Sequence, residues 1–399
     1  MMKKKYSLGF VLTLMLIASA LTCLIFVSIS RLQFSVYGNK NQVAGRNFTA
    51  MLERIEEMYI GEYEIADVYA AAMRATVDAL EDRWSYYMTP EEYAEYQISV
   101  RNQYTGIGVS VVIDEEAGGM GVLYTYRGSP AEKSGILSGD VITGVDGESL
   151  AGLDLNEIRD LLARPIGETA ELTVLRLDGT IETILVMYDM IFVDPISYEM
   201  LDGKIGYIEI ANFEGGSADG FITAVDWLLA EGAVSLVFDV RGNGGGRVNE
   251  MTRMLDYLLP EGEIFISVDR NGREDIIWSD SEMVEIPAVV IVDRYSFSAA
   301  EYFAATLNEY GYAEIVGEQT TGKSRSQRTE QLPDGGALHI STSQYLTKNR
   351  VALYDVGGVT PDYQIRLSDE EFQLLLSGNL DKDADPQLKM AVSVLTHNS

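Results

Sequence analysis

The sequence predicts a layered α/β core with a largely parallel sheet, set behind a β-rich inserted module, a helical segment and one transmembrane helix. Three observations predict it. From Lys204 onward, short apolar runs of strand character alternate with amphipathic runs of helical period. From Tyr104 to Met187 alternating strand signals and glycine turns dominate. The first 31 residues hold an almost unbroken apolar run behind three lysines.

The leader reads Lys3-Lys4-Lys5, then apolar residues from Leu8 to Ile29, then Arg31. Twenty-two residues at ~1.5 Å each reach roughly 33 Å, enough for a hydrocarbon core of about 30 Å. The run continues past Ala18-Ser19-Ala20, which favours a retained anchor over residues 8–30 rather than a cleaved signal. The lysines place residues 1–7 in the cytoplasm and everything after the anchor outside, on the extracytoplasmic face of the cell membrane.

A polar linker is expected over 31–47 and an N-terminal helical segment over 48–97. Met51, Leu52, Ile55 and Met58, then Ile65, Val68, Ala72 and Met73, mark two amphipathic helices broken near Gly61. Thr89-Pro90-Glu91-Glu92 is a capping box with proline at the first helical position, and starts a third. Trp84-Ser85-Tyr86-Tyr87 lies just ahead of it and, on the sequence alone, carries no chemistry.

The β-rich module occupies 98–188. Strands are expected from Val109 to Ile113, Val122 to Tyr126, Ala170 to Leu177 and Thr180 to Met187, with a turn at Asp146-Gly147 and a helix from Leu155 to Ala163. The loop Gly106-Ile107-Gly108 can expose backbone N–H groups to a carboxylate, and the strand from Val109 offers an edge for β-addition. The same glycines also fit ordinary turns.

The α/β core is expected over 189–369, with a C-terminal segment over 370–399. Ile205 to Ile210, Ser235 to Val240, Ile264 to Val268 and Ala288 to Asp293 read as strands; helices are marked around Phe221–Leu229 and Val248–Leu259. After Asp239 comes Arg241-Gly242-Asn243-Gly244-Gly245-Gly246. It fails the dinucleotide pattern because Arg247 stands where the third glycine belongs, and no Walker lysine is present. Glycines between a strand and a helix suit either a plain turn or a set of backbone donors for a developing oxyanion.

Ser298, ahead of Ala299-Ala300-Glu301, is a legitimate helix cap. It also fits a nucleophile at the positive end of a helix, with the Ala299 amide as an oxyanion donor. Lys323 can act as its base only if burial removes its charge, and Gln327, four positions on, can hold the amine without raising its pKa.

Composition narrows the alternatives. With 61 acidic against 30 basic residues the formal charge is −31, which excludes a nucleic-acid footprint and reads as solubility. The one cysteine, Cys23, lies in the leader, so disulfides, cysteine-rich metal sites and a cysteine nucleophile are excluded downstream. The two histidines are His397, at the chain end, and His339, which alternates with apolar neighbours as a strand residue does. A Ser-His hydrolase would have to be built on His339. No metal or cofactor is called for, and self-association into a homo-oligomer is left open.

The stretches Gly-Ser-Pro-Ala-Glu-Lys-Ser-Gly-Ile (128–136) and Gly-Asp-Val-Ile-Thr-Gly-Val-Asp-Gly (139–147) resemble a PDZ domain. That resemblance implies capture of a protein C-terminus in a groove of Gly106, Ile107, Gly108 and Val109 facing Ile158 and Leu162. Leu-Val-Phe-Asp-Val-Arg with its glycines, Val-Asp-Arg-Tyr-Ser-Phe-Ser-Ala-Ala-Glu, Val-Gly-Glu-Gln-Thr-Thr-Gly-Lys and Gly-Gly-Val-Thr-Pro-Asp resemble the C-terminal processing peptidases, serine proteases with an inserted PDZ domain. The resemblance runs from about Phe48 to Ala391. It implies Ser298 as nucleophile, Lys323 as base, Gln327 as the orienting third member, and an oxyanion hole from Gly245, Gly246 and Ala299. Here Ser-Phe-Ser-Ala-Ala-Glu stands for the usual Ser-Ala-Ser-Ala-Ser-Glu, and a Gly-Asn-Gly-Gly-Gly loop leaves open which amide donates. The same groove without a working serine would make a scaffold that holds partner C-termini at the membrane.

Overall fold

The computed structural model describes the backbone of residues 8–37, 39–376 and 378–397, with side chains other than those of 8, 11, 12, 29–37, 39, 40, 155, 156 and 376. The chain divides into two compact units, Met1–Ala71 and Ala72–Ser399. The expected cytoplasmic tail, 1–7, lies outside the described residues.

In the first unit Leu8–Tyr37 is one helix of 30 residues and Asn39–Met58 a second of 20. The linker expected over 31–47 is therefore helical on both sides of residue 38, which lies outside the described residues, and no proline interrupts it. Among the described residues no helix is long and apolar enough to cross a membrane. The expected anchor over 8–30 thus has its helix but not an established span.

The second unit is built on a six-stranded sheet in the order Ile196–Leu201, Ile205–Ile210, Ser235–Asp239, Ala288–Val292, Ala313–Gly317, Tyr363–Gln364. Its first pair is antiparallel and the rest are parallel. Alternation along the strands serves two faces. Leu236, Phe238, Val290 and Val292 pack beneath the helices Ser217–Ala230, Val248–Leu258 and Ala299–Glu309. Val237, Val289 and Ile291 pack under the C-terminal helix Pro386–His397 through Leu388, Ala391 and Leu395. Both faces are covered, which explains why Ser235–Asp239 reads as a continuous apolar run.

The C-terminal helix is held by charge as well as packing. The Arg241 guanidinium, buried behind the sheet edge, pairs with Asp239 at 2.5 Å and Asp385 at 2.7 Å, while Asp385 accepts the amides of Gln387 and Leu388. Asp385→Ala leaves Arg241 half-compensated and the helix uncapped, so urea denaturation is expected to show a loss of about 3–5 kcal/mol. A loss below about 1 kcal/mol would contradict this account.

The strand expected from Ile264 to Val268 runs Gly262–Asp269 and belongs to a second, antiparallel sheet rather than to the largely parallel one. The cause is local: only four residues, ending Gly272-Arg273, separate it from Glu274–Ser279, too few for a crossover. The long strand Ala337–Leu346 organises this sheet, pairing with Gly262–Asp269, Arg325–Gln331 and Tyr86–Met88. The last brings in the segment ahead of the Thr89 capping box, which is present with both reciprocal bonds. Ser85 Oγ accepts the Ser341 amide at 3.0 Å and fixes it there.

The β-rich module is a separate sheet with its own core, running Val109–Asp114, Gly119–Thr125, Val141–Val145, Thr169–Leu175, Ile181–Met187. Asp146 and Gly147 both have positive φ, as a tight hairpin requires. Among the described residues Val109–Asp114 pairs with Gly119–Thr125 alone, and its other edge carries no strand.

Candidate active site

Two parallel neighbours, Ser235–Asp239 and Ala288–Val292, end side by side, so the loops that follow them meet. Asp293 joins the loops: its Oδ1 accepts the Gly242 amide (3.0 Å), the Tyr295 amide (2.9 Å) and the Ser296 hydroxyl (3.1 Å). Asn243, fully buried, adds three bonds, to Ile210 O, from Gly245 N and from Phe297 N. At the junction Gly245 sits so close that a Cβ would lie 2.8 Å from Ser298 Cβ and 2.9 Å from the Ala299 amide. Its φ of +96° adds to the demand for glycine.

Ser298 itself has φ 60° and ψ −123°, a conformation costly for any side chain and concentrated at functional turns. Its amide donates to Glu301 Oε2 at 3.0 Å, and the buried Tyr345 phenol lines the same cavity as Ser298. That phenol donates to the Lys323 carbonyl at 2.5 Å. Glu301 also accepts the amides of Lys323 (2.9 Å) and Gly322 (2.5 Å) and the Thr320 hydroxyl (2.5 Å). Burial pushes the Glu301 carboxyl up, opposed by these four donors.

Lys323 is 9 % exposed. Burial lowers its amine to about 8, partly offset by the charges of Asp82 and Glu301. Nζ rests 4.3 Å from the Trp84 ring centroid, and Trp84 leans on Phe297 at 5.6 Å. Among the described residues no hydrogen bond joins this amine to Ser298 or Gln327. Gln327 instead donates from Nε2 to Arg325 O (3.0 Å) and Ser341 Oγ (2.9 Å).

One cavity of about 530 Å³ is lined by Ser298, Ala299, Lys323, Gln327, Gly244 and Gly246, among others. Gly245 lies behind its wall, and its amide is committed to Asn243 Oδ1 at 2.8 Å. The structure thus brings Ser298, Lys323, Gln327, Gly246 and Ala299 to one space and leaves Gly245 outside it. His339, on the strand Ala337–Leu346, also faces this space. It stacks on Tyr86 at 4.7 Å, contacts Thr329 Oγ1 through Nδ1 at 2.8 Å, and is lowered to about 4 by burial and then by Lys323.

In the β-rich module Ile107 and Gly108 are buried, and a Cβ on Gly108 would meet Ser129 Cβ at 2.3 Å. Gly106 pairs with Asp189 in a two-stranded ribbon, and Val109 opens the free edge strand. Ile158, 2 % exposed, belongs to the module's core, so Leu162 and its neighbour Leu161 are what the helix Leu155–Leu162 presents half-buried.

Residues 204–365 match peptidase family S41, and residues 121–176 match a PDZ domain. The carboxy-terminal processing protease CtpA of Bacillus subtilis is 30% identical over 376 residues, covering 92% of this chain and 79% of that protein. This chain belongs to the C-terminal processing peptidases. A carboxyl-terminal-processing protease of Picosynechococcus is 28% identical over 327 residues, covering 80% of this chain and 77% of that one. An S41 protease candidate from Bacteroides fragilis superposes with a TM-score of 0.56 at 17% identity, covering 82% and 90%, and shares the fold. As a C-terminal processing peptidase the chain is a serine-type endopeptidase with an S41 core, a PDZ domain and N-terminal helices.

Several side chains around this peptidase's cavity escaped the sequence. Trp84 and Tyr86 come from a segment with no motif of its own, although a run of three aromatics in four residues was a signal. Tyr345, Glu214 and Arg247 carry no one-dimensional mark of their positions.

Proposed function

We propose that this peptidase cuts near the C-terminus of protein substrates with Ser298 as nucleophile and Lys323 as general base. The observation that carries the proposal is a buried amine, lowered to about 8, on the same cavity as a serine held in a strained turn at a helix start. Transfer of the Ser298 proton to Lys323 Nζ accompanies attack of Oγ on the scissile carbonyl. The amides of Ala299 and Gly246 are the oxyanion donors; Gly245 is replaced in that role because its amide already serves Asn243. Lys323 then protonates the leaving amine and next activates the water that hydrolyses the acyl-enzyme.

The described arrangement is a resting one in this reading. Lys323 lies over Trp84, so its amine must turn before proton transfer. Gln327 can receive the incoming amine on Oε1, since its Nε2 is held by Arg325 O and Ser341 Oγ. The substrate tail is held by the PDZ domain, between the free edge at Val109–Asp114 and the helix bearing Leu162.

Residues 8–30 anchor the chain, with the peptidase on the extracytoplasmic side. The support is the lysine cluster and a helix that exposes apolar side chains all round, Leu14, Leu16, Leu24 and Phe26 among them. One experiment covers all three parts. In cells producing the full chain, an acylating serine probe is expected to label Ser298 in the membrane fraction. Tailed peptide should compete with the label, and Leu162→Arg should weaken that competition. Label in the soluble fraction removes the anchor, bound peptide without label removes the nucleophile, and undiminished competition by the variant removes the groove.

A further inference from the structure

The cavity carries more cationic than anionic side chains, in a chain whose formal charge is −31. Arg247, Arg325 and Lys323 line it, against Glu214; His339 faces it uncharged. Arg325, with Asp82 at 3.4 Å, belongs to the strand Arg325–Gln331 rather than to the oxyanion loop, and Lys323 is taken up by the proposed chemistry. Arg247 remains. It directly follows Gly246, whose amide the proposed mechanism aims at the oxyanion. Its own amide donates to Phe213 O at 2.7 Å, so its Cα cannot drift from the reacting centre.

The guanidinium is poorly compensated. Its side chain is 45% exposed, and among the described residues its ion-pair partner is Glu214, with Nε 3.4 Å from Oε2. That carboxylate oxygen is buried and, among the described residues, meets no acceptable hydrogen-bond geometry, so the pair is a loose ion pair. Burial raises the Glu214 carboxyl to about 7, with Arg247 opposing and Glu250 adding to it. The fork of guanidinium donors is therefore not satisfied by the protein and faces the cavity beside the oxyanion loop.

From this we infer that Arg247 is a specificity residue that binds a substrate carboxylate close to the scissile bond. A planar carboxylate accepts two parallel guanidinium N–H bonds, a geometry that a neutral amide or an ammonium cannot match. Two sources present it: an Asp or Glu side chain flanking the cut, or the free α-carboxylate when the cut lies near the chain end. Glu214 is the internal competitor that occupies the fork loosely until substrate arrives. The inference rests on the reading of Ser298 as the reacting centre.

The test uses four peptides of one sequence, with Glu or Gln beside the cut and a free or amidated C-terminus. Wild type, Arg247→Gln and Glu214→Gln are compared by kcat/KM, and by peptide Kd on a Ser298→Ala background. Wild type is expected to prefer a carboxylate by about 10- to 100-fold, mainly through KM. Arg247→Gln brings the acid-to-neutral ratio close to one for the Glu/Gln pair and down to the PDZ domain's own preference for the free/amidated pair, and Glu214→Gln, which frees the guanidinium without altering it, raises the ratio. Whichever pair, side chain or terminus, shows the Arg247-dependent ratio identifies the source. An unchanged ratio in Arg247→Gln overturns the inference. If that variant fails to fold, a ratio that is unchanged or lower in Glu214→Gln overturns it equally. Failure of the Ser298 mechanism would show separately, as peptide turnover that persists in Ser298→Ala, while the Kd ratio scores Arg247 without depending on the nucleophile.

Discussion

Lys323→Met is expected to abolish peptide hydrolysis, by at least about 10³-fold in kcat, while raising the thermal midpoint at pH 7 by on the order of a few degrees. Both effects come from the same buried amine. Its pKa is lowered to about 8 from 10.5 because burial disfavours the charge. Between those values the unfolded chain binds the proton and the folded chain does not, so stability rises with pH across that window. Below about 8 both states are protonated, and the cost of burying an ammonium is present in full. Methionine fills the space beside Trp84 without that cost. For catalysis the neutral form is the competent one, so kcat/KM in wild type should climb with pH and level off above about 8. At pH 7 about a tenth of the amine is neutral. Methionine at 323 with more than about 1% of wild-type activity, or a wild-type profile flat from pH 6 to 9, would show that another group takes the serine proton. His339 is the alternative acceptor on this cavity, and its lowering to about 4 would place such a profile far to the acid side.

The parts of this fold that were legible in the sequence are those governed by local period and local turns. The doubly covered strand Ser235–Asp239, the Asp146-Gly147 turn and the Thr89 capping box each announce themselves within ten residues. The site is legible to the extent that its loops have composition: the glycines after Asp239 and the Ser298 cap. What the sequence hides is long-range pairing. Tyr86 reaches His339 because Tyr86–Met88 joins the edge of a strand some 250 residues later, and nothing local encodes that register. The sheet to which Gly262–Asp269 belongs is hidden for the same reason, since its apolar alternation suits either sheet and only the short hairpin to Glu274 decides. Gly245 shows a subtler limit. Its identity follows from close approach to Ser298, yet its amide is bonded to Asn243 Oδ1, a pairing that the run of glycines does not mark.

Glu301→Gln is expected to cost about 2–4 kcal/mol in chemical denaturation and at least about 10²-fold in kcat, although this side chain does not line the cavity. The sequence presents Glu301 as half of a helix cap, and its Oε2 does accept the Ser298 amide. The same oxygen accepts the Lys323 amide, while Oε1 accepts Gly322 N and the Thr320 hydroxyl. One buried carboxylate therefore fixes both loops of the proposed dyad, and the distance between serine and lysine backbones is set through it. A glutamine of equal size has one acceptor oxygen and one amide nitrogen. In one orientation its N–H groups oppose the amides of Ser298 and Lys323. In the other they oppose Gly322 N, with only the Thr320 hydroxyl able to reverse its role. Either way buried donors lose their acceptor, at about 1–3 kcal/mol each. Asp at this position keeps the charge but shortens the reach, so it should fold better than Gln and still lose activity. A glutamine variant with wild-type stability and rate would mean that the Ser298 turn and the Lys323 loop hold their places without the shared carboxylate.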